Sequence, residues 1–409
     1  MKKLSRLLTI CILISLLCGQ LARFQLTPRV AFYPHDILIV IFILLNIPVF
    51  LQAWRALPRR CLVGVALMLV WSAISFTFNH AWSLVPLLYL ARLLTYVTFG
   101  LVLAQTQLWT PREYVFLLTA FFGSLAFLGL AQYLLFPDAR FLENLGWDDH
   151  YYRVLGTWFD PVFTALAYLF GWLFFIAHRQ EFVRSPSKKV ALTLIMILLT
   201  VSLIFTYSRS VYLAFAACLI AFLPSVKTND LRTRLREYRY AYFFLACLLS
   251  ALCFVAFVVL ARLIPSDSTN LLRTNSLQIR AATLLTYCQQ LTPGQWFFGR
   301  GPFVPLPASL PPGSSVDFKL TAAFPDNFFI LLISFWGLPV ALVVTALIFY
   351  GLYRLYCRHV FTFYYFLALL VVAQFNQAVF QPFIVILLTF LLSDPRFVVS
   401  RPQNRPSLS

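Results

Sequence analysis

The sequence predicts an all-α, polytopic membrane protein of about twelve transmembrane helices, with one large extracytoplasmic loop between spans 9 and 10. Three observations carry that prediction. The chain of 409 residues is 61% hydrophobic and 11% charged with a mean hydropathy of +0.82, too apolar to keep a soluble surface wet. Its apolar runs are long and repeated. Its basic residues alternate between dense and sparse connecting segments, as topology signals do.

Runs long enough to cross hydrocarbon lie at about 7–21, 37–54, 61–78, 83–105, 114–136, 161–177, 190–206, 211–224, 241–261, 328–353, 361–375 and 382–393, the last two short. None alternates with a period of two, and an open sheet edge cannot face lipid, so helices are expected and strands are not. The first run follows Lys2 and Lys3 and resembles a secretory signal, but Cys18 to Ala22 fits a cleavage site poorly, so an uncleaved first span is expected. With a cytoplasmic amino terminus, 21 of the 32 basic residues fall on the inside, which places both termini in the cytoplasm. The net charge of +18 is thereby a topology signal, and no nucleic-acid partner is expected. Cysteine spacing gives no disulfide framework. Residues 1–409 read as a single integral membrane domain, with a polar tail from Ser400.

The unusual polar groups gather on the outside. The stretch 262–325 is the longest polar interruption and carries Arg280 on an amphipathic segment, the turn Gly299-Arg300-Gly301, and Pro325-Asp326-Asn327 at the entry to the next span. Asp326 and Asn327 also read as an ordinary helix cap, a role compatible with accepting a proton from a bound hydroxyl. Arg209 sits at the outer mouth of two spans, where its guanidinium can meet a phosphate or act as an interface anchor. Arg92 lies about nine residues into its span, so it must face a polar cavity or a partner, functional or structural. In the first long outer loop, Asp148, Asp149 and His150 read as a solvated face, because adjacent ligands are poorly directed at a metal. Arg153 and Asp160 are nearer the membrane. No metal and no cofactor is expected.

Taken in order, these segments resemble the O-antigen ligase and O-antigen polymerase family of bacterial membrane glycosyltransferases. Arg153-Val154-Leu155-Gly156-Thr157-Trp158-Phe159-Asp160-Pro161 is similar to that family's Arg-x-x-Gly-Thr-Phe-x-x-Pro segment, and Thr206-Tyr207-Ser208-Arg209-Ser210 to its Thr-x-Ser-Arg element. Arg280 followed by Gly299-Arg300-Gly301-Pro302-Phe303 is similar to its arginine helix and Gly-x-Gly turn. Asp326-Asn327 with nine residues to Gly337 is similar to its His-Asn-x9-Gly motif, with Asp326 standing where ligases carry histidine.

The resemblance implies an enzyme of the bacterial inner membrane, transferring glycan from an undecaprenyl-diphosphate-linked donor to a glycan or lipid-linked glycan acceptor on the extracytoplasmic side. It implies Arg209 and Arg280 on the departing diphosphate and Asp326 as base, with Arg153, Arg300, Asn327, Arg92 and Asp160 binding substrate, and a single inverting displacement without metal. The competing class is a transporter or flippase of a lipid-linked saccharide, with Arg92 on its pathway.

Overall fold

The computed structural model describes residues 1–27, 30–145, 147, 150–183, 185–225, 269–271, 284–305 and 324–395. Its labelled helices are α1 (Lys2–Cys18), α2 (Pro34–Leu45), α3 (Ile47–Ala56), α4 (Arg59–Phe78), α5 (Leu84–Thr106), α6 (Pro111–Leu135), α7 (Pro161–Val183), α8 (Pro186–Phe205), α9 (Arg209–Ser225), α10 (Pro293–Phe298), α11 (Phe328–Arg358), α12 (Val360–Ala373) and α13 (Pro382–Leu392). Residues 284–290 are also helical. Many of these helices open on proline, whose missing N–H costs nothing in the first turn and whose fixed φ suits a helix start. Boxes at Thr110 with Glu113 and at Thr292 with Gln295 cap α6 and α10.

Seven helices are long and apolar enough to cross a bilayer, and an eighth counts if α2 and α3 are one span. The chain is therefore a helical, polytopic membrane protein. The expected span at 37–54 is broken: α2 and α3 meet at 80°. Pro48 cannot donate to the preceding turn, and Asn46 ends α2 at the bend, its side-chain amide donating to the Phe42 carbonyl at 2.8 Å. α9, α12 and α13 are shorter apolar helices. The expected span at 241–261 lies outside the described residues.

One short element lies outside the helices and outside the apolar runs. Phe24–Thr27 (β1) and Val30–Phe32 (β2) form an antiparallel hairpin between α1 and α2. The pair falls between two apolar runs, where backbone groups bond across a ladder without exposing a long edge to lipid.

Two apolar cores organise the molecule. The larger is centred on α7, the most enclosed of the long helices, with α6, α8, α9, α12 and α13 packed on it. Its aromatic spine includes Phe170 against Tyr365 and Trp172 against Phe215. The smaller core surrounds the first turns of α11 and includes Tyr287, Leu291 and Phe324 from the segments before it.

A buried pair ties α7 to the end of α13. His178 Nε2 lies 3.1 Å from Asp394 Oδ2, with side-chain exposures of 1% and 2%. By contrast, Arg140 and Asp138 pair at 2.6 Å on the surface. Asp394→Ala is expected to cost about 1–3 kcal/mol by removing a buried hydrogen-bond partner of His178. Arg140→Ala should leave thermal unfolding in detergent unchanged, because the exposed pair is screened by water.

Candidate functional site

Arg153 and the Thr206–Ser210 turn are brought together. α8 ends at Phe205, and the final carbonyls of a helix have no partner inside it. Val154 N–H donates to the Phe205 carbonyl at 2.8 Å, Arg153 Nε to that of Thr206 at 3.0 Å, and Arg153 Nη2 to that of Tyr207 at 3.3 Å. A buried cation thus closes the negative end of α8. Arg153 is 5% exposed, so the structure gives it the work of holding this turn.

Its segment is held in turn by Gln132, whose Oε1 accepts from Leu155 N–H at 2.8 Å and Gly156 N–H at 3.3 Å. Asp160 completes the segment by capping α7, its Oδ1 accepting from Val162 and Phe163 at 2.7 and 2.9 Å. Arg209 opens α9 directly after the turn, and its Nη1 reaches the Leu271 carbonyl of the long loop at 3.0 Å.

The second group of motif residues meets at a break in α11. Gly337 has φ 78° and ψ 168°, which interrupts the helix after Trp336. The carbonyls before a break lose their partners. Arg300 N–H donates to the Ser334 carbonyl at 2.6 Å, Ser75 Oγ reaches that of Phe335 at 3.5 Å, and Trp71 Nε1 donates to that of Trp336 at 2.7 Å. The Gly299 turn lies so close that a Cβ there would meet the Phe335 backbone at 2.6 Å. Asn79, at the end of α4, donates to the Gly299 carbonyl at 2.8 Å and accepts from Gln295 Nε2 at 3.0 Å. The turn is a wedge clamped into the break.

Around the wedge, the Tyr287 hydroxyl bonds Ser334 Oγ. Burial pushes the Tyr287 phenol up to about 12 and lowers the Arg300 guanidinium from its ordinary value. Arg300 Nη2 donates to the Pro305 carbonyl at 3.4 Å, while Nε is buried with no partner among the described residues.

Asn327 is the amino-terminal cap of α11, accepting from Phe329 and Ile330 N–H at 3.1 and 3.2 Å. Its amide points to Gln374 at the end of α12, 3.3 Å from that carbonyl. Asp326, half-buried, directly precedes it. The two groups are linked through α12. α12 packs on α9, where Cys218 meets Tyr364, and on α11, and it ends at the residue that holds Asn327.

Arg280 lies outside the described residues, as do Asp148 and Asp149. Arg92 stands apart from both groups, in an ion pair with Asp36 at 2.9 Å. This is the partner that its place within a span demanded.

Three segments of the resemblance each contain a non-glycine residue with positive φ: Phe159 at 54°, Tyr207 at 52° and Phe303 at 61°. Such conformations cost free energy and persist where the surroundings over-determine them. Gln132 and Asn79, which hold two of these segments, and Trp71, Tyr287 and Gln374, which hold the Asp326–Gly337 segment, carry no motif signal. Only the fold reveals them.

No family model, curated protein or solved structure matches the chain.

Gly337→Ala is expected to cost about 1–3 kcal/mol from backbone strain alone. An added clash raises this further, since a Cβ there would sit 1.9 Å from the Phe297 carbonyl oxygen. Gly64→Ala, with nothing within 4 Å, should instead stabilise α4 by up to about 1 kcal/mol. Thermal shift in detergent distinguishes the two.

Proposed function

We propose that this protein is a membrane glycosyltransferase, a polymerase or ligase that moves a glycan from undecaprenyl diphosphate to a glycan acceptor outside the cytoplasm. The observation that carries the reading is the assembly of the Arg153 segment, the Arg209 turn and the long loop into one bonded unit, beside the helix that holds Asn327. A donor on a diphosphate already has a good leaving group. Catalysis then needs cations on the departing oxygens and a base on the incoming hydroxyl.

In this reading Arg209 and Arg280 take the diphosphate and Asp326 takes the proton. Asn327 fixes the backbone on which Asp326 sits, and Arg300 steers the glycan. Arg153 and Asp160 hold the Arg209 turn and the start of α7. One displacement inverts the anomeric centre. The twelve-span topology, cytoplasmic termini and an inner-membrane setting belong to the same proposal.

A second reading, transport of a lipid-linked saccharide, draws support from the two discontinuous helices, α2 with α3 and α11, since transporters build sites at such breaks. Incubation of purified protein with a lipid-diphosphate oligosaccharide separates them: new glycosidic bonds support the transferase, and movement without new bonds supports transport. Asp326→Ala and Arg280→Ala are expected to abolish transfer, and Arg209→Ala to lower it by roughly a hundredfold or more, the scale seen on losing a group that stabilises developing charge. Membrane abundance should stay normal in all three. Full activity in any variant removes that residue from the mechanism.

A further inference from the structure

Between α2 and α5 lies a groove of about 330 Å³, walled by Ile37, Val40, Ile41 and Leu88 and floored by Arg92. Ile37, Val40 and Ile41 are exposed on the protein surface, as expected of a face turned to lipid. The hairpin closes one side with Ala31 and Phe32. Apolar walls at membrane depth exclude water, so in a bilayer the space is filled by a hydrocarbon chain.

The floor limits which molecule supplies that chain. Asp36 is saturated: its carboxylate accepts from Tyr33 N–H at 2.9 Å, from the Tyr96 hydroxyl and from Arg92 Nη2. Arg92 is not. Its Nη2 serves Asp36 and the Ala31 carbonyl, while Nε and Nη1 have no hydrogen-bond partner among the described residues. The rings of Phe32, Tyr33 and Tyr89 surround the guanidinium with centroids 5.4, 5.9 and 5.7 Å away, steadying the cation without offering an acceptor oxygen. Guanidinium donors without acceptors are costly at this depth.

We propose that the groove is a phospholipid site, in which phosphate or ester oxygens of one glycerophospholipid accept from Arg92 Nε and Nη1 while an acyl chain lies along Ile37, Val40 and Ile41. Guanidinium and lipid phosphate are complementary in charge and hydrogen bonding. The site stands apart from the motif residues, yet one wall meets them: Tyr89 stacks on Phe303, ring centroids 5.7 Å apart. A bound lipid therefore buttresses the turn that wedges into α11.

Native mass spectrometry of the full chain, released from nanodiscs containing both glycerophospholipid and polyprenyl phosphate, tests this. Wild-type protein is expected to keep one phospholipid through detergent exchange. Arg92→Gln should lower the retained fraction by roughly tenfold. Val40→Trp, which fills the groove without touching the ion pair, should do the same in protein whose melting temperature is unchanged. Equal retention in wild type and Val40→Trp would overturn the proposal. Retention of polyprenyl phosphate in place of phospholipid would overturn the occupant, and displacement by inorganic phosphate would reduce the site to one for a free anion.

Discussion

The break at Gly337 is the constraint on which the half of the structure around the start of α11 rests. A helix that ends inside protein near the membrane leaves carbonyls with no water to turn to, and each unmet group costs several kcal/mol. Here the three carbonyls before the break are met from two directions, by the Arg300 backbone and by side chains of α4. Remove either source and the broken helix loses its reason to stay broken. The position of Asn327, and of Asp326 before it, follows from that clamp, because both sit at the start of the short segment it anchors.

The break also divides two environments. Before Gly337, α11 is enclosed: Leu331, Leu332, Ser334 and Phe335 are buried. After it, Leu342, Val343, Leu347 and Phe349 are exposed apolar groups suited to lipid. The part from Leu338 to Arg358 is 21 residues, about 31 Å at 1.5 Å per residue, enough to cross the hydrocarbon by itself. The segment before the break is thus free to serve the site while the rest spans.

Much of this was legible in the sequence, for a physical reason. Apolar runs must become helices in lipid, so the segments at 7–21, 61–78, 83–105, 114–136, 161–177, 190–206 and 328–353 coincide with long helices. The Asn327 cap could be foreseen because side-chain capping is local. The bend between α2 and α3 was hidden: hydropathy sums over a window and does not register that Pro48 and Asn46 interrupt it. The hairpin escaped because it is too short to impose a period. Non-local partners such as Arg153 with Thr206, or Asn79 with Gly299, leave no trace in spacing along the chain.

On the proposed transferase reading, Asp326 and the cations would divide the work between them. The Asp326 carboxyl directly precedes Asn327, the cap at the start of α11. In that reading a departing diphosphate lets the acceptor proton be lost late, when the new bond has largely formed. The heavier demand then falls on the cations facing the diphosphate. The Arg209 turn would suit such a demand: it is bonded to Arg153 and to Leu271 of the long loop, and Tyr207 is held at φ 52°, a strain the surrounding contacts must sustain. Rigid placement of a guanidinium is what the proposed transfer would ask of this turn.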